Sequence, residues 1–222
     1  MERRRILIYG TGQTGNMVAS ILELQEDVEI VGFVDDDEEM WSKTLRGYPI
    51  LPGGRDAVAQ GSGFDAVTVA VGRVDPRRKL GEWIRSQSVP QHSAIHPSAL
   101  IPKDSTIGEG TIIGAGTTLY VNPIVGRNVF IGPSVVISHD TVVQDYALIS
   151  VGSVVGARVD VSPGAFVGAG VTLMPPGWGA ESRLTVGDDA IVGVGAVVIR
   201  DVEPRAIVAG VPAKLLRYRE EA

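Results

Sequence analysis

The chain of 222 residues has no cysteine. That excludes a disulfide framework, a thiolate metal site and a cysteine nucleophile, and it fits a reducing compartment such as the cytoplasm. Aromatic residues are scarce, at 5%, so aliphatic side chains must fill the core. Basic residues are outnumbered, 20 against 26 acidic, for a net charge of −6. Nucleic acid and anionic membrane surfaces are therefore poor partners, and neither is expected. Long apolar runs are missing as well. The basic start MERRRILIYG stops at Gly10, too short for a signal peptide or a membrane span, so no membrane insertion is expected. In place of these the chain carries 28 glycines among many valines and isoleucines, a composition suited to many tight turns and thin packing layers.

The pattern changes near residue 93, which predicts two domains, 1–92 and 93–222. In the first, short apolar runs at Arg5–Tyr9, Glu29–Val34 and Phe64–Val71 alternate with helical spacing over Asn16–Gln25 and Arg77–Gln87. Strand–helix–strand order at this spacing implies a small α/β, Rossmann-like parallel sheet with helices on its faces. The first strand runs into GTGQTG (Gly10 to Gly15), the context of a loop whose amides cradle a phosphate at a helix start. Asp35 ends the second strand, where an acid could bond a ribose hydroxyl. Taken alone these features point to NAD. Against that, the α/β half is too short for the two mononucleotide halves of a full dinucleotide fold.

From Ile95 the chain steps by six: Ile101, Ile107, Ile113, Leu119, Val125, Ile131, Ile137, Val143, Ile149, Val155, Val161, Val167 and Leu173 are all aliphatic. Glycine often follows, and a small or β-branched residue stands four places on, as at Thr111, Thr117, Thr141 and Ser153. The frame breaks after Leu173 and resumes at Val186, Val192 and Val198. A hexapeptide period is that of a parallel β-helix. Three hexads make one triangular coil, and each aliphatic points inward onto its equivalent 18 residues later. Ile113, Ile131, Ile149 and Val167 should stack, with Gly, Asn and Asp supplying unusual backbone angles at the corners.

Three histidines occur, His92, His96 and His139, and only His139 lies well inside the repeats. It stands two places past the inward Ile137, a corner position, and Asp140 follows it. His–Asp is suited to general-base chemistry, the carboxylate fixing the ring tautomer. A solvated surface pair is the alternative. His92 and His96 are spaced i, i+4, but Pro90 and Pro97 bracket them and argue against a helical metal pair. His92 is expected on the linker surface.

The stretches IGEGTI and IGAGTT, the closing AGVPAKLLR (Ala209–Arg217), the GTGQTG…VDDD…AVGR half and the junction AIHPSALI (Ala94–Ile101) together resemble the bacterial hexapeptide-repeat sugar acetyltransferases. Those enzymes N-acetylate nucleotide-linked amino sugars or O-acetylate sialic acid. The resemblance runs nearly end to end. It implies that the all-β half is a left-handed parallel β-helix, that the assembly is a homotrimer with active sites between subunits, and that acetyl-CoA is the co-substrate. It also implies that His139 is the base and that its imidazole faces a neighbouring subunit. Gly12, Gln13, Thr14, Asp35, Asp36, Gly72 and Arg73 match its substrate positions, implying a nucleotide-linked amino sugar as partner. Gly168, Ala169, Gly193 and Val194 match its CoA positions, with Lys214 or Arg217 meeting CoA phosphates. The family more often has Glu at Asp140, His at Thr14 and Asn at Arg73. Metal-dependent members of the fold use three histidines from neighbouring coils, and one repeat histidine does not supply them, so no metal is expected. The insertion Pro175–Arg183, with Trp178, could cover a CoA groove. The leading expectation is N-acetylation of a nucleotide-linked amino sugar for surface glycan synthesis. O-acetylation of a sugar hydroxyl, a non-catalytic nucleotide-binding scaffold and an NAD-linked oxidoreductase are the alternatives.

Overall fold

A computed structural model describes residues 3–175, 177 and 183–220. The chain forms two compact units, Met1–Pro97 and Ser98–Ala222.

The first unit contains β1 (Arg4–Tyr9), α1 (Gln13–Leu22), β2 (Val28–Val34), β3 (Thr44–Leu45), β4 (Tyr48–Leu51), α2 (Gly54–Ala59), β5 (Ala66–Val69) and α3 (Val74–Ser86). The sheet order is β3-β4-β2-β1-β5. All neighbours are parallel except the β3–β4 hairpin at the edge. Leu7 and Tyr9 of β1 pack with Val58 of α2 and Leu80 and Ile84 of α3 in one apolar cluster. The alternate residues Ile6 and Ile8 are equally buried, and α1 lies against β1 and β2. Strands buried on both faces read as continuous apolar runs. From β1 the chain moves to β2 on one side and later to β5 on the other, so β1 and β5 flank the topological switch point, where ligands of open α/β sheets bind. The hairpin and α2 were not anticipated. Both are short, the strands two and four residues long and the helix six.

The second unit is a left-handed parallel β-helix of mostly two-residue strands. One face holds Thr106–Ile107, Ile124–Val125, Val142–Val143, Val159–Val161 and Leu184–Val186. The next holds Ile112–Ile113, Phe130–Ile131, Leu148–Ile149, Phe166–Val167, Ile191–Val192 and Ala206–Ala209, with Lys214–Tyr218 added antiparallel. The third holds Thr118–Leu119, Val136–Ile137, Val154–Val155, Thr172–Leu173 and Val197–Val198. The predicted stack is present: Ile113, Ile131, Ile149 and Val167 pair in parallel register and are fully buried. Inside the prism, the hydroxyls of Thr111, Thr117, Thr141 and Ser153 donate to the carbonyls of Gly126, Gly132, Gly156 and Gly168 at 2.8–2.9 Å. These four buried hydroxyls are thereby satisfied by a neighbouring coil. Val161 pairs with Val186 and Val167 with Val192, so the break after Leu173 is an insertion that leaves the stack intact.

The corners carry the expected Gly, Asn and Asp, with Ser134, Tyr146 and Arg158 among them. Positive φ recurs every six residues at Gly110, Gly116, Asn122, Asn128, Ser134, Asp140, Tyr146, Gly152, Arg158, Gly164 and Gly170. The glycines that directly follow the inward aliphatics lie outside this series. They are required by space instead: a Cβ at Gly114 would stand 2.5 Å from the Pro133 nitrogen of the next coil.

Candidate active site

In the first unit, the GTGQTG loop assigns its three glycines separate tasks. Gly10 has φ +113° and turns the chain out of β1. Gly12 caps α1 with open space where a side chain would stand, and Gly15 lets the helix approach the strand, since a Cβ there would meet the Gly10 carbonyl oxygen. Helix α1 starts at Gln13, inside the loop rather than at the expected Asn16. Its first turn has no acidic residue and its cap supplies no side chain, which leaves the positive end of the helix dipole open to an anion. Across the switch point, Gly72 lies so close to Thr14 that a Cβ there would meet the Thr14 Oγ1 at 2.8 Å. Arg73, exposed, caps α3. Gly12, Gln13, Thr14, Gly72 and Arg73 thus gather at one crevice.

Asp35 sits behind this group. Its Oδ2 accepts the Thr11 amide at 2.8 Å and the Thr11 hydroxyl at 2.7 Å, and its Oδ1 accepts the Asp37 amide at 3.0 Å. Burial alone would raise its pKa, but these hydrogen bonds outweigh burial and hold the carboxyl below the ordinary range. Asp35 therefore braces the glycine-rich loop. Asp36 belongs to a cluster that the sequence did not disclose. The Tyr9 hydroxyl donates to its carboxylate, Arg55 stands 3.5 Å from it, and the Arg55 guanidinium lies 5.1 Å from the centre of the Trp83 ring. Burial, and then the bond to Asp36, push the Tyr9 phenol up. These residues come from four separate elements, and no spacing links them. His92 is mostly buried rather than surface-exposed, its Nε2 3.2 Å from Gln25 Oε1. Burial lowers its pKa.

In the second unit, His139 lies on the corner after the Val136–Ile137 strand, outside the prism and half-exposed. Its Nδ1 is 2.9 Å from Asp140 Oδ2. That bond, with help from the Asn122 side chain one coil before and the charge of Arg158 one coil after, keeps the Asp140 carboxyl below its ordinary range. An ionised carboxylate can only accept, so Nδ1 carries the hydrogen of this bond, and in the neutral form of the ring the lone pair lies on Nε2. Asp140 also occupies the left-handed corner, φ +57°, and the Arg158 amide donates to the His139 carbonyl at 3.0 Å. The backbone on both sides of the ring is fixed.

Gly168, Ala169, Gly193 and Val194 occupy a different edge, the corner after the Phe166–Val167 and Ile191–Val192 strands. The Gly168 and Gly193 amides serve the ladder, donating to Val192 and Val208 carbonyls at 2.8 Å. Those of Ala169 and Val194 make no backbone hydrogen bond among the described residues, and Val194 is 76% exposed. Lys214 and Arg217 lie on the exposed final strand. Lys214 lines a cavity of about 390 Å³ with Val198, Val208, Leu215 and Tyr218. The insertion leaves the prism from the same edge as His139, two coils later. Trp178 lies outside the described residues. Arg183, at its return, hydrogen-bonds the Asp160 carboxylate and reaches the Asp140 carbonyl at 3.4 Å. No group of three or more potential metal ligands occurs among the described residues, and none of the described helices is long and apolar enough to cross a membrane.

Residues 5–84 match the PglD N-terminal domain. A perosamine N-acetyltransferase from Caulobacter crescentus, solved as a histidine-to-asparagine variant with CoA and GDP-perosamine, is 28% identical over 95% of both chains, with a TM-score of 0.86. WeeI from Acinetobacter baumannii is 26% identical over 96% of this chain and all of its own, with a TM-score of 0.83. The acetyltransferase domain of PglB from Neisseria gonorrhoeae, 24% identical over 96% of this chain with a TM-score of 0.84, shares the fold. A chloramphenicol acetyltransferase from Agrobacterium fabrum is 58% identical over 36 residues, and the chain spans only 17% of that protein's length.

Proposed function

We propose that this chain, a hexapeptide-repeat sugar acetyltransferase in the fold of both its units, transfers the acetyl group of acetyl-CoA to the amine of a nucleotide-linked amino sugar. The observation that carries the chemistry is the His139–Asp140 pair, displayed outside the prism with Nδ1 held by the carboxylate, which leaves Nε2 to act as the base. Nε2 takes a proton as the acceptor nitrogen attacks the thioester carbonyl. The C–N bond forms, the C–S bond breaks, and CoA leaves as a thiolate that takes up the proton held by His139. Asp140 stabilises the imidazolium that exists between those two transfers. A backbone amide near the corner offers a hydrogen bond to the oxyanion, a contribution of several kcal/mol in comparable sites. That two neighbours were solved as variants of a histidine, each with CoA and GDP-perosamine bound, supports the same assignment.

The edges of the prism support a homotrimer. His139 and the Ala169–Val194 edge are separated by the whole Val136–Ile137 face. A single chain therefore does not bring both to one cleft, whereas neighbouring prisms packed edge to edge do. Acetyl-CoA would lie between subunits, with pantetheine along the Ala169 and Val194 amides and Lys214 near its phosphates. The β1–β5 crevice, with Gly12, Gln13, Thr14, Gly72 and Arg73 around an open helix start, would take the diphosphate of the sugar nucleotide. Asp35 and Asp36 would act beside it, toward ribose and base. The first unit lacks a second βαβαβ half, which disfavours the NAD reading. Both co-substrates are cytoplasmic metabolites, and the cysteine-free chain is assigned there.

The test is a panel of nucleotide-linked 3- and 4-amino sugars with acetyl-CoA, following thiol release. Release with amines and not with the matching hydroxyl sugars is expected. Release with hydroxyl acceptors alone would replace the reading with O-acetylation. Failure to bind acetyl-CoA in a calorimeter would replace it with a non-catalytic scaffold.

A further inference from the structure

The Tyr9–Asp36–Arg55–Trp83 cluster stands at the rim of the first unit's sheet where β1 ends at Tyr9 and β2 at Val34. Ligands of open α/β sheets bind at that carboxyl rim. The turn that carries Asp36 is held on several sides. Asp35 is bonded to Thr11 of the glycine-rich loop, and the Trp41 indole N–H donates to the Asp35 carbonyl at 2.9 Å. Gly54, with φ +47°, packs so closely that a Cβ there would stand 3.1 Å from both the Asp35 carbonyl oxygen and Asp36 Oδ1. Arg55 follows Gly54 in α2, so its backbone is fixed against the same turn.

The Arg55 guanidinium lies 5.1 Å from the centre of the Trp83 ring, a stacking contact that orients its plane. Its Nε stands 3.5 Å from Asp36 Oδ2. A guanidinium has five N–H donors in a rigid fork, more than the Asp36 carboxylate and the Tyr9 phenol can engage. The carboxylate has about four acceptor positions, and the Tyr9 hydroxyl occupies one of them. Both the arginine and the aspartate side chains are about half exposed. Spare donors therefore stand beside spare acceptors at one place on the rim. A pair that served only solubility would require neither the aromatic stack nor the braced turn.

The order of these groups has a chemical complement. An arginine fork reads two neighbouring acceptors, and a carboxylate reads neighbouring donors. Guanine presents both along one edge: the acceptors N7 and O6, then the donors N1–H and N2–H. Adenine interrupts that order with its N6 amino group. Uracil sets N3–H between two carbonyls, and cytosine offers two acceptors but a single donor group. We infer that Arg55, with Asp36 beside it, determines base specificity and selects guanine, Arg55 donating to N7 and O6 and Asp36 accepting from N1–H and N2–H. This assignment rests on the reading of the crevice as a sugar-nucleotide site.

The test uses the full chain with Arg55→Met and Arg55→Lys, and GDP, UDP, CDP and ADP as probes in calorimetry. The wild-type chain should bind GDP at least about tenfold more tightly than the other three, the discrimination that one bidentate pair supplies. Arg55→Met should raise the GDP Kd at least about tenfold and the UDP and ADP values less than about threefold, so that the preference disappears. Arg55→Lys keeps the charge without the fork and should lose the preference as well. A wild-type preference for another base overturns the assignment. So does a folded Arg55→Met that keeps the GDP preference, the result expected of a solvated surface pair. An equal loss for every diphosphate, restored by lysine, overturns it in favour of a phosphate contact. Should Arg55→Met fail to fold, the lysine variant decides: a GDP preference that survives in it overturns the assignment. If the wild-type chain acetylates nucleotide-linked amino sugars without regard to base, only the base assignment fails; if it binds no nucleoside diphosphate and transfers no acetyl group, the acetyl-transfer reading fails with it.

Discussion

Two glycines of the β-helix that look alike in sequence should behave differently when replaced by alanine. At Gly114 the added Cβ would stand 2.5 Å from the Pro133 nitrogen, 2.8 Å from the Gly132 carbonyl carbon and 2.9 Å from the Pro133 Cα. All three are main-chain atoms of the next coil, so no side chain can rotate away. The coil spacing is set by ladder bonds such as Gly114 N–H to the Ile131 carbonyl at 2.8 Å. Relief requires prising two coils apart, at about 3 kcal/mol, the upper part of the overpacking range. At Gly152 the backbone is left-handed, φ +68°, with nothing within 4 Å of the added Cβ. Alanine there bears only the left-handed penalty of about 1–2 kcal/mol, partly offset by a stiffer unfolded chain, roughly 0.5 kcal/mol. Gly152→Asn should be close to neutral, because Asn122 and Asn128 already hold this conformation in other coils. The two alanine variants should therefore differ by about 2 kcal/mol, or roughly 4–8 °C in Tm for a chain of this size. Thermal and urea unfolding followed by far-ultraviolet circular dichroism measures the difference. A Gly114→Ala variant as stable as Gly152→Ala would refute the packing argument.

Asp35→Ala should remove the three hydrogen bonds that brace the glycine-rich loop. After discounting for partial exposure, that costs about 2 kcal/mol of first-unit stability and weakens nucleoside diphosphate binding in a calorimeter. Because the folded Asp35 pKa is lowered, the stabilisation is complete above the unfolded value of about 3.9 and is lost as pH falls through the folded value. Urea midpoints between about pH 6 and 2 should show this loss in wild type and not in Asp35→Ala. Asp140→Ala should reduce kcat about tenfold with little change in either KM, less than loss of the base itself, and Asp140→Asn, which can still accept through its amide oxygen, should retain more. Stopped-time acetylation assays with both substrates saturating measure the ratio.

The β-helix was legible because a six-residue aliphatic period repeats through many coils, and a fully buried stack of Ile113, Ile131, Ile149 and Val167 is its direct consequence. The role of each glycine was not. The left-handed corner is held by residues as different as Asn128, Tyr146 and Arg158, whereas the glycine after the inward aliphatic answers to space. Sequence shows that a side chain is absent, but not whether space or φ requires it. His139 could be placed on a corner from its offset within the hexad, and the Nδ1–Asp140 bond followed from adjacency. The Asn122 and Arg158 contributions come from neighbouring coils and needed the winding itself. In the first unit, GTGQTG marked the crevice, but Asp35 turned out to brace the loop through Thr11. The Tyr9–Asp36–Arg55–Trp83 cluster joins β1, the loop after β2, α2 and α3, a convergence that only tertiary structure creates.

The central claim, that a single exported imidazole removes the acceptor's proton, is tested most directly by His139→Ala in acetyl transfer with both substrates saturating. The account predicts a loss of 10²–10⁴ in kcat, with acetyl-CoA and nucleoside diphosphate affinities near wild type. A folded His139→Ala that retains more than about a tenth of the wild-type kcat would contradict it.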